Sequence, residues 1–190
     1  MSNFNVFDSS FRELHIGDVF TPLKWAGFAI EQFDLYSKWI DGATVFDPTM
    51  GDGNLLEAII VTGLAKGRTI DSLPTHHLFG NELNTRYFKR SIEKFKIKYG
   101  IDLSDNFTNE DILRLKPRKF DLIFGNPPWQ NFVDLPESYK EQIKSDFFRC
   151  GLVANPRHLL LGGSRIELSA LVVQIAMKDF LVLRHFKWVS

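Results

Sequence analysis

Four short apolar runs, each ended abruptly by a polar, glycine or proline cluster, constrain this chain more than any other feature. Ala43-Thr44-Val45-Phe46 precedes Asp47-Pro48, and His77-Leu78-Phe79-Gly80 precedes Asn81-Glu82. A weaker run around Phe107 leads to Asp111, and Phe120-Asp121-Leu122-Ile123-Phe124 leads to Gly125-Asn126. Such short runs, rich in β-formers, read as strands buried in a parallel sheet. Helical patterns separate them. Residues 21–40 repeat apolar side chains at three- and four-residue steps (Trp25, Phe28, Ala29, Phe33, Tyr36, Ile40), with Thr21 suited to the N-cap and Pro22 to the first turn. Leu55, Leu56, Ile59, Ile60 and Leu64 predict a second helix, closed by Gly67. Residues 85–99 predict a third, with Tyr87, Phe88, Ile92, Phe95 and Tyr99 on one side and Lys89, Arg90, Lys94, Lys96 and Lys98 on the other. Alternating strand and helix predicts an α/β fold with a mostly parallel sheet and right-handed crossovers. Ligands of such sheets bind at the carboxyl ends of the strands.

The 190 residues suit one domain, and neither an internal repeat nor a Ser/Gly/Pro-rich linker divides them. Basic and acidic side chains balance at 23 each, which excludes a uniformly basic nucleic-acid coat but leaves room for a local basic patch. The basic side of residues 85–99 reads first as a solvated helix face and second as a phosphate patch, for which the group Arg114, Lys116, Arg118 and Lys119 is the better candidate. The lone Cys150 cannot form an internal disulfide, and no Cys/His cluster has metal-ligand spacing, so no metal is expected. The first 20 residues lack the basic start and apolar run of a signal peptide, and no stretch approaches the roughly 18 apolar residues of a membrane span. A soluble, cytoplasmic protein without a membrane partner is the expectation.

The unusual residues fall at the predicted strand ends. In Asp47-Pro48-Thr49-Met50-Gly51-Asp52-Gly53, the glycines let backbone approach a ligand, and the following helix start presents free N–H groups. An acid directly after the strand would repel a pyrophosphate but attract an ammonium or sulfonium group. Glu82 could accept two ribose hydroxyls or simply cap a helix, and Asp111 could accept from an adenine amino group or serve as another N-cap. In Asn126-Pro127-Pro128-Trp129 the two prolines abolish two donors and fix φ, so the strand must end in a rigid turn. The Asn126 side chain and the Pro127 carbonyl are two acceptors able to hold both hydrogens of one amino group. Trp129 offers a flat face for a purine.

Residues 120–129 resemble the catalytic motif of S-adenosylmethionine-dependent amino methyltransferases, particularly the adenine-N6 DNA methyltransferases of restriction–modification systems. The segment 47–56 resembles their methyl-donor loop, and Thr21-Pro22-Leu23-Lys24 resembles the segment that encloses the donor's methionine end. An amphipathic helix over residues 166–180 resembles a further motif less specifically. The resemblance implies a Rossmann-like class I methyltransferase fold with helices on both faces of the sheet. It implies S-adenosylmethionine as cofactor, held by Thr21, Pro22, Asp47, Pro48, Gly51, Gly53, Glu82 and Asp111. It assigns the catalytic turn to Asn126, Pro127, Pro128 and Trp129, with a flipped adenine of double-stranded DNA stacked on Trp129. Related motifs serve enzymes that methylate glutamine amides or RNA bases, and a non-catalytic methyltransferase-like module is a further alternative.

On this reading residues 1–190 are one catalytic domain without a target-recognition domain. Residues 19–40 form a helix over the donor site, 43–131 the core with both motifs, and 132–190 a substrate-side part, in which 130–140 are expected to be a mobile loop. The family's sheet has more strands than the four counted here, and residues 181–190 have room for one more. Missing C-terminal strands and inactivity of the chain alone are therefore expected, either because the polypeptide is truncated, the favoured explanation, or because a second chain supplies the rest.

Overall fold

The structure, a computed structural model, describes residues 20–154 and 166–182. Its centre is a four-stranded parallel sheet of β1 (Val45–Asp47), β2 (Leu78–Asn81), β3 (Phe107–Thr108) and β4 (Leu122–Ile123) in the order β3-β2-β1-β4. Val45 pairs with both Leu78 and Leu122, which puts β1 between β2 and β4. The strands alternate between two cores. Val45 and Leu78 join Ala26, Trp39, Leu56, Ile59 and Phe95 on one face. Phe46 and Phe79 join Phe120, Phe147, Leu171 and Phe180 on the other. The chain therefore has the expected α/β fold, a parallel sheet covered by helices on both faces.

On the first face lie α1 (Leu23–Gln32), α2 (Leu35–Ile40), α3 (Asn54–Ala65) and α4 (Thr85–Tyr99); on the second lie α5 (Glu137–Arg149) and α6 (Leu168–Ile175). Gly67 (φ +81°) closes α3 as expected: its N–H reaches the Leu64 carbonyl at 3.0 Å, and that of Arg68 reaches Gly63 at 3.1 Å. Asn84 caps α4, its side chain accepting the Arg86 N–H at 2.9 Å. Leu181 bridges to Phe120 in parallel fashion beside β4, where a further strand was expected; the remainder of that segment, 183–190, lies outside the described residues. Among the described residues no helix is long and apolar enough to cross a membrane.

The N-terminal helix departs from expectation in three ways. It breaks at Phe33-Asp34, where Asp34 takes a left-handed φ of 49°, so α1 and α2 replace one continuous helix. Its buried seam is Ala26, Ile30, Leu35 and Trp39, while Trp25, Phe28 and Phe33 are exposed. Counting large aromatics picked the wrong face, because α1 lies against α3 and small Ala26 permits that approach. Pro22, not Thr21, occupies the N-cap, without a side-chain cap bond. Toward the other end, α5 begins at Glu137 inside the segment expected to be a loop, and the helix expected over 166–180 begins at Leu168 and passes into a π-helical turn, Ala176–Phe180.

Candidate active site

The loops leaving the carboxyl ends of all four strands enclose a cavity of about 170 Å³. Ten of the twelve residues expected at a site line it: Thr21, Asp47, Pro48, Gly51, Glu82, Asp111, Asn126, Pro127, Pro128 and Trp129. Pro22 and Gly53 do not. Pro22 faces α1, whose first N–H groups its carbonyl accepts at 2.9 Å (Trp25) and 3.1 Å (Ala26). Gly53 begins α3 with φ +79°, and a Cβ there would stand 2.9 Å from the Phe95 ring, so its small size serves helix packing rather than the cavity.

Asp47 is fully buried at the end of β1. Its Oδ1 accepts the Thr49 N–H at 3.1 Å, whereas Oδ2 has no partner among the described residues. Burial, opposed by the Thr49 N–H and reinforced by the Glu82 charge, raises its pKa to about 8. Glu82 braces the loop after β1: Oε2 accepts the Gly51 N–H at 2.8 Å and Oε1 the Asn84 N–H at 2.7 Å. Gly51 (φ +57°) has no room for a side chain, since a Cβ would lie 2.5 Å from the Phe20 ring. Asp111 is buried, which raises its pKa; it accepts the Leu113 N–H at 3.0 Å and the Tyr139 hydroxyl at 3.3 Å.

The Asn126-Pro-Pro-Trp129 turn, which follows β4 beside β1, lines the same cavity. The Asn126 side chain donates to the Thr21 hydroxyl at 3.3 Å, and its Oδ1 accepts the Trp129 indole N–H at 3.0 Å. Thr21 thus meets the Asn126 turn instead of capping a helix. Trp129 is 62% exposed, which leaves its ring open for stacking.

Sequence reasoning overlooked several site residues. Asn81, 2% exposed, donates to the Pro48 and Glu110 carbonyls (3.2 and 3.0 Å) and accepts from the Thr108 hydroxyl (2.8 Å), tying three strand-end loops together. Its position directly before Glu82 at a strand end was the available signal. The hydroxyls of Thr49 and Tyr139 offered none, because the groups they bond, the Asn126 carbonyl and Asp111, are distant in sequence.

The basic groups lie elsewhere. Among the described residues no Lys, Arg or His lines the cavity, whereas Asp47, Asp52, Glu82 and Asp111 do. Such a lining suits a cationic ligand and disfavours a phosphate. Arg90 pairs with Asp52 at 2.7 Å, and Lys94 and Lys98 pair with Glu57. Arg114 pairs with Asp146, Lys119 donates to the Lys178 carbonyl, and Arg118 lies over the Phe79 ring. Lys119 and Phe120 stand where β4 begins, the end of the sheet away from the cavity. Five of these basic side chains are thus held by acidic partners or carbonyls, and the sixth covers an aromatic ring.

No protein family matches the sequence, and no curated protein matches it. Solved structures do resemble its fold. The type IIG restriction endonuclease BpuSI is similar over 87% of this chain and 19% of its own, at 15% identity and TM-score 0.54. The methyltransferase subunit of a type I restriction–modification system from Streptococcus thermophilus is similar over 90% and 34%, at 21% identity and TM-score 0.51. The enzyme DrdV, in complex with DNA, is similar over 91% and 20%, at 16% identity and TM-score 0.54. The chain spans between about a fifth and a third of these proteins. Its parallel α/β sheet has the fold of a region found in restriction–modification enzymes, a methyltransferase subunit among them.

Proposed function

We propose that this chain transfers a methyl group from S-adenosylmethionine to the exocyclic N6 amino group of adenine in double-stranded DNA, as part of a restriction–modification system. The observation that carries the reading is the buried Asp47 Oδ2, without a partner among the described residues, in the same cavity as the Asn126-Pro-Pro-Trp129 turn. A carboxyl oxygen buried without a donor is costly unless a ligand completes it, and an acid-lined cavity selects a cation. The occurrence of this fold in a methyltransferase subunit, and in an enzyme studied on DNA, supports the same reading.

S-adenosylmethionine would supply a methyl group already activated on a sulfonium, so no metal is required. Asp47 would face the ammonium of its amino-acid end. Gly51 leaves backbone exposed along the donor. Glu82, which braces the loop through Gly51 and Asn84, would take the ribose hydroxyls, and Asp111 would mark the adenine end. Asn126 Oδ1 and the Pro127 carbonyl would hold the two hydrogens of the target amino group. Asn126 Oδ1 now accepts from Trp129, so the indole must exchange that bond for stacking on the base as the target arrives. Catalysis is then chiefly alignment of the nitrogen with the methyl group.

Asn126→Ala separates binding from transfer. In the assembly that is active, incorporation of labelled methyl groups into adenine of duplex DNA should fall about 10²–10³-fold or more, the scale for losing a transition-state hydrogen bond. Donor binding by calorimetry should be unchanged. Equal loss of both would make Asn126 structural, and absence of donor binding in the unaltered protein would overturn the reading.

A further inference from the structure

The loop after β1 and the turn after β4 meet at Thr49 and at Gly125. Past Phe124, whose N–H makes a ladder bond to Phe46 at 2.9 Å, the catalytic turn enters a stretch in which Pro127 and Pro128 have no N–H. Such a turn has few main-chain donors of its own, the Gln130 N–H reaching the Pro128 carbonyl at 3.2 Å, and it gains from donors elsewhere. One comes from the donor loop: the Thr49 hydroxyl donates to the Asn126 carbonyl at 3.2 Å. The Thr49 main-chain N–H donates in the other direction, to Asp47 Oδ1 at 3.1 Å. The two loops also touch directly at Gly125, where a Cβ would lie 2.8 Å from Asp47 Oδ1 and 2.9 Å from Pro48 Cδ.

We propose that Thr49 is a positioning residue, whose hydroxyl holds the Asn126 carbonyl and so keeps the catalytic turn in fixed register with the donor loop. The Asn126 carbonyl belongs to the peptide plane joining it to Pro127, so fixing it aims both acceptors that would hold the target amino group. The same residue reads Asp47, the carboxylate that meets the donor on the function proposed above, and this inference rests on that reading for its role in transfer. Serine at this position keeps the donor. Valine keeps the shape and removes it.

Hydrogen–deuterium exchange of the donor-free protein tests the link without relying on activity. Thr49→Val should speed exchange across residues 124–131 by about two- to tenfold, the reach of one hydrogen bond, and leave β2 unchanged. Thr49→Ser should exchange as the unaltered protein does. In methyl transfer to adenine-containing DNA, Thr49→Val should lower kcat by about tenfold or more with unchanged donor affinity, as misalignment predicts. Equal exchange in Thr49→Val and the unaltered protein would overturn the proposal. So would acceleration spread equally over β2, which marks general destabilisation. If the unaltered protein binds no donor, the proposed function fails, while the donor-free exchange still decides whether Thr49 holds the turn.

Discussion

Glu57 on α3 and Asp47 at the end of β1 are both withdrawn from solvent, with 2% and 0% exposure, yet they differ in what surrounds them. Glu57 is met by Lys94 at 2.7 Å, Lys98 at 2.5 Å and the Tyr99 hydroxyl at 2.7 Å. Burial pushes its pKa up, but these three α4 donors outweigh that and hold it at about 2. Asp47 has one backbone N–H, a second acid nearby and an oxygen with no donor, so burial prevails and its pKa stands at about 8. A carboxylate completed within the protein staples two helices. One left without a donor among the described residues stands at the strand ends, where the proposed methyl donor would complete it.

The comparison breaks first, and most strongly, at Asp47. Asp47→Asn should weaken S-adenosylmethionine binding by about 10- to 100-fold, the reach of a charge-assisted hydrogen bond, while leaving the folded state intact. Calorimetry beside thermal unfolding checks both halves, and undiminished affinity would remove the distinction between the two acids. Glu57→Gln should do the reverse. Donor affinity should hold, but urea unfolding should show a loss of about 1–2 kcal/mol, restrained because the Lys98 head is open to water.

The pH dependence is the finest discriminator, because the two acids pull in opposite directions. Glu57 ionises more readily folded than unfolded, so its stabilisation is present above the ordinary value of 4.5 and is lost as pH falls from there toward about 2. Asp47 holds its proton more tightly folded than unfolded, so its contribution is full below 3.8 and is lost as pH rises toward about 8. A donor ammonium needs the ionised form. Affinity should therefore rise with pH up to about 8, by at most about tenfold per unit. In Asp47→Asn this contribution to the slope should vanish, and an unaltered slope would assign the titration to another group.

The same contrast separates what could be read in the sequence from what could not. The acid after β1, the glycine-bearing loop and the double-proline turn were visible because each acts through its immediate neighbours. Proline removes its own N–H, and a short apolar run ends where a polar cluster begins. That Asp47 would lack a partner and Glu57 would have three was not visible. Glu57 reads as an ordinary polar position in a helix, and Lys94 and Lys98 read as a solvated face, until α4 is laid against α3. The error on α1 has the same origin: hydrophobicity marked Trp25, Phe28 and Phe33, but the neighbouring helix selected Ala26 and Ile30.

By itself, then, the sequence determined the alternation of strand and helix, the parallel sheet, and the residues standing at its carboxyl ends, since local propensity and chain chirality act over a few positions. Tertiary structure alone decided that β1 lies between β2 and β4, which face of α1 is buried, and that Thr49 reaches an Asn126 carbonyl 77 positions away. Those outcomes depend on close packing and on satisfying buried donors and acceptors, which exist only once distant segments share one core.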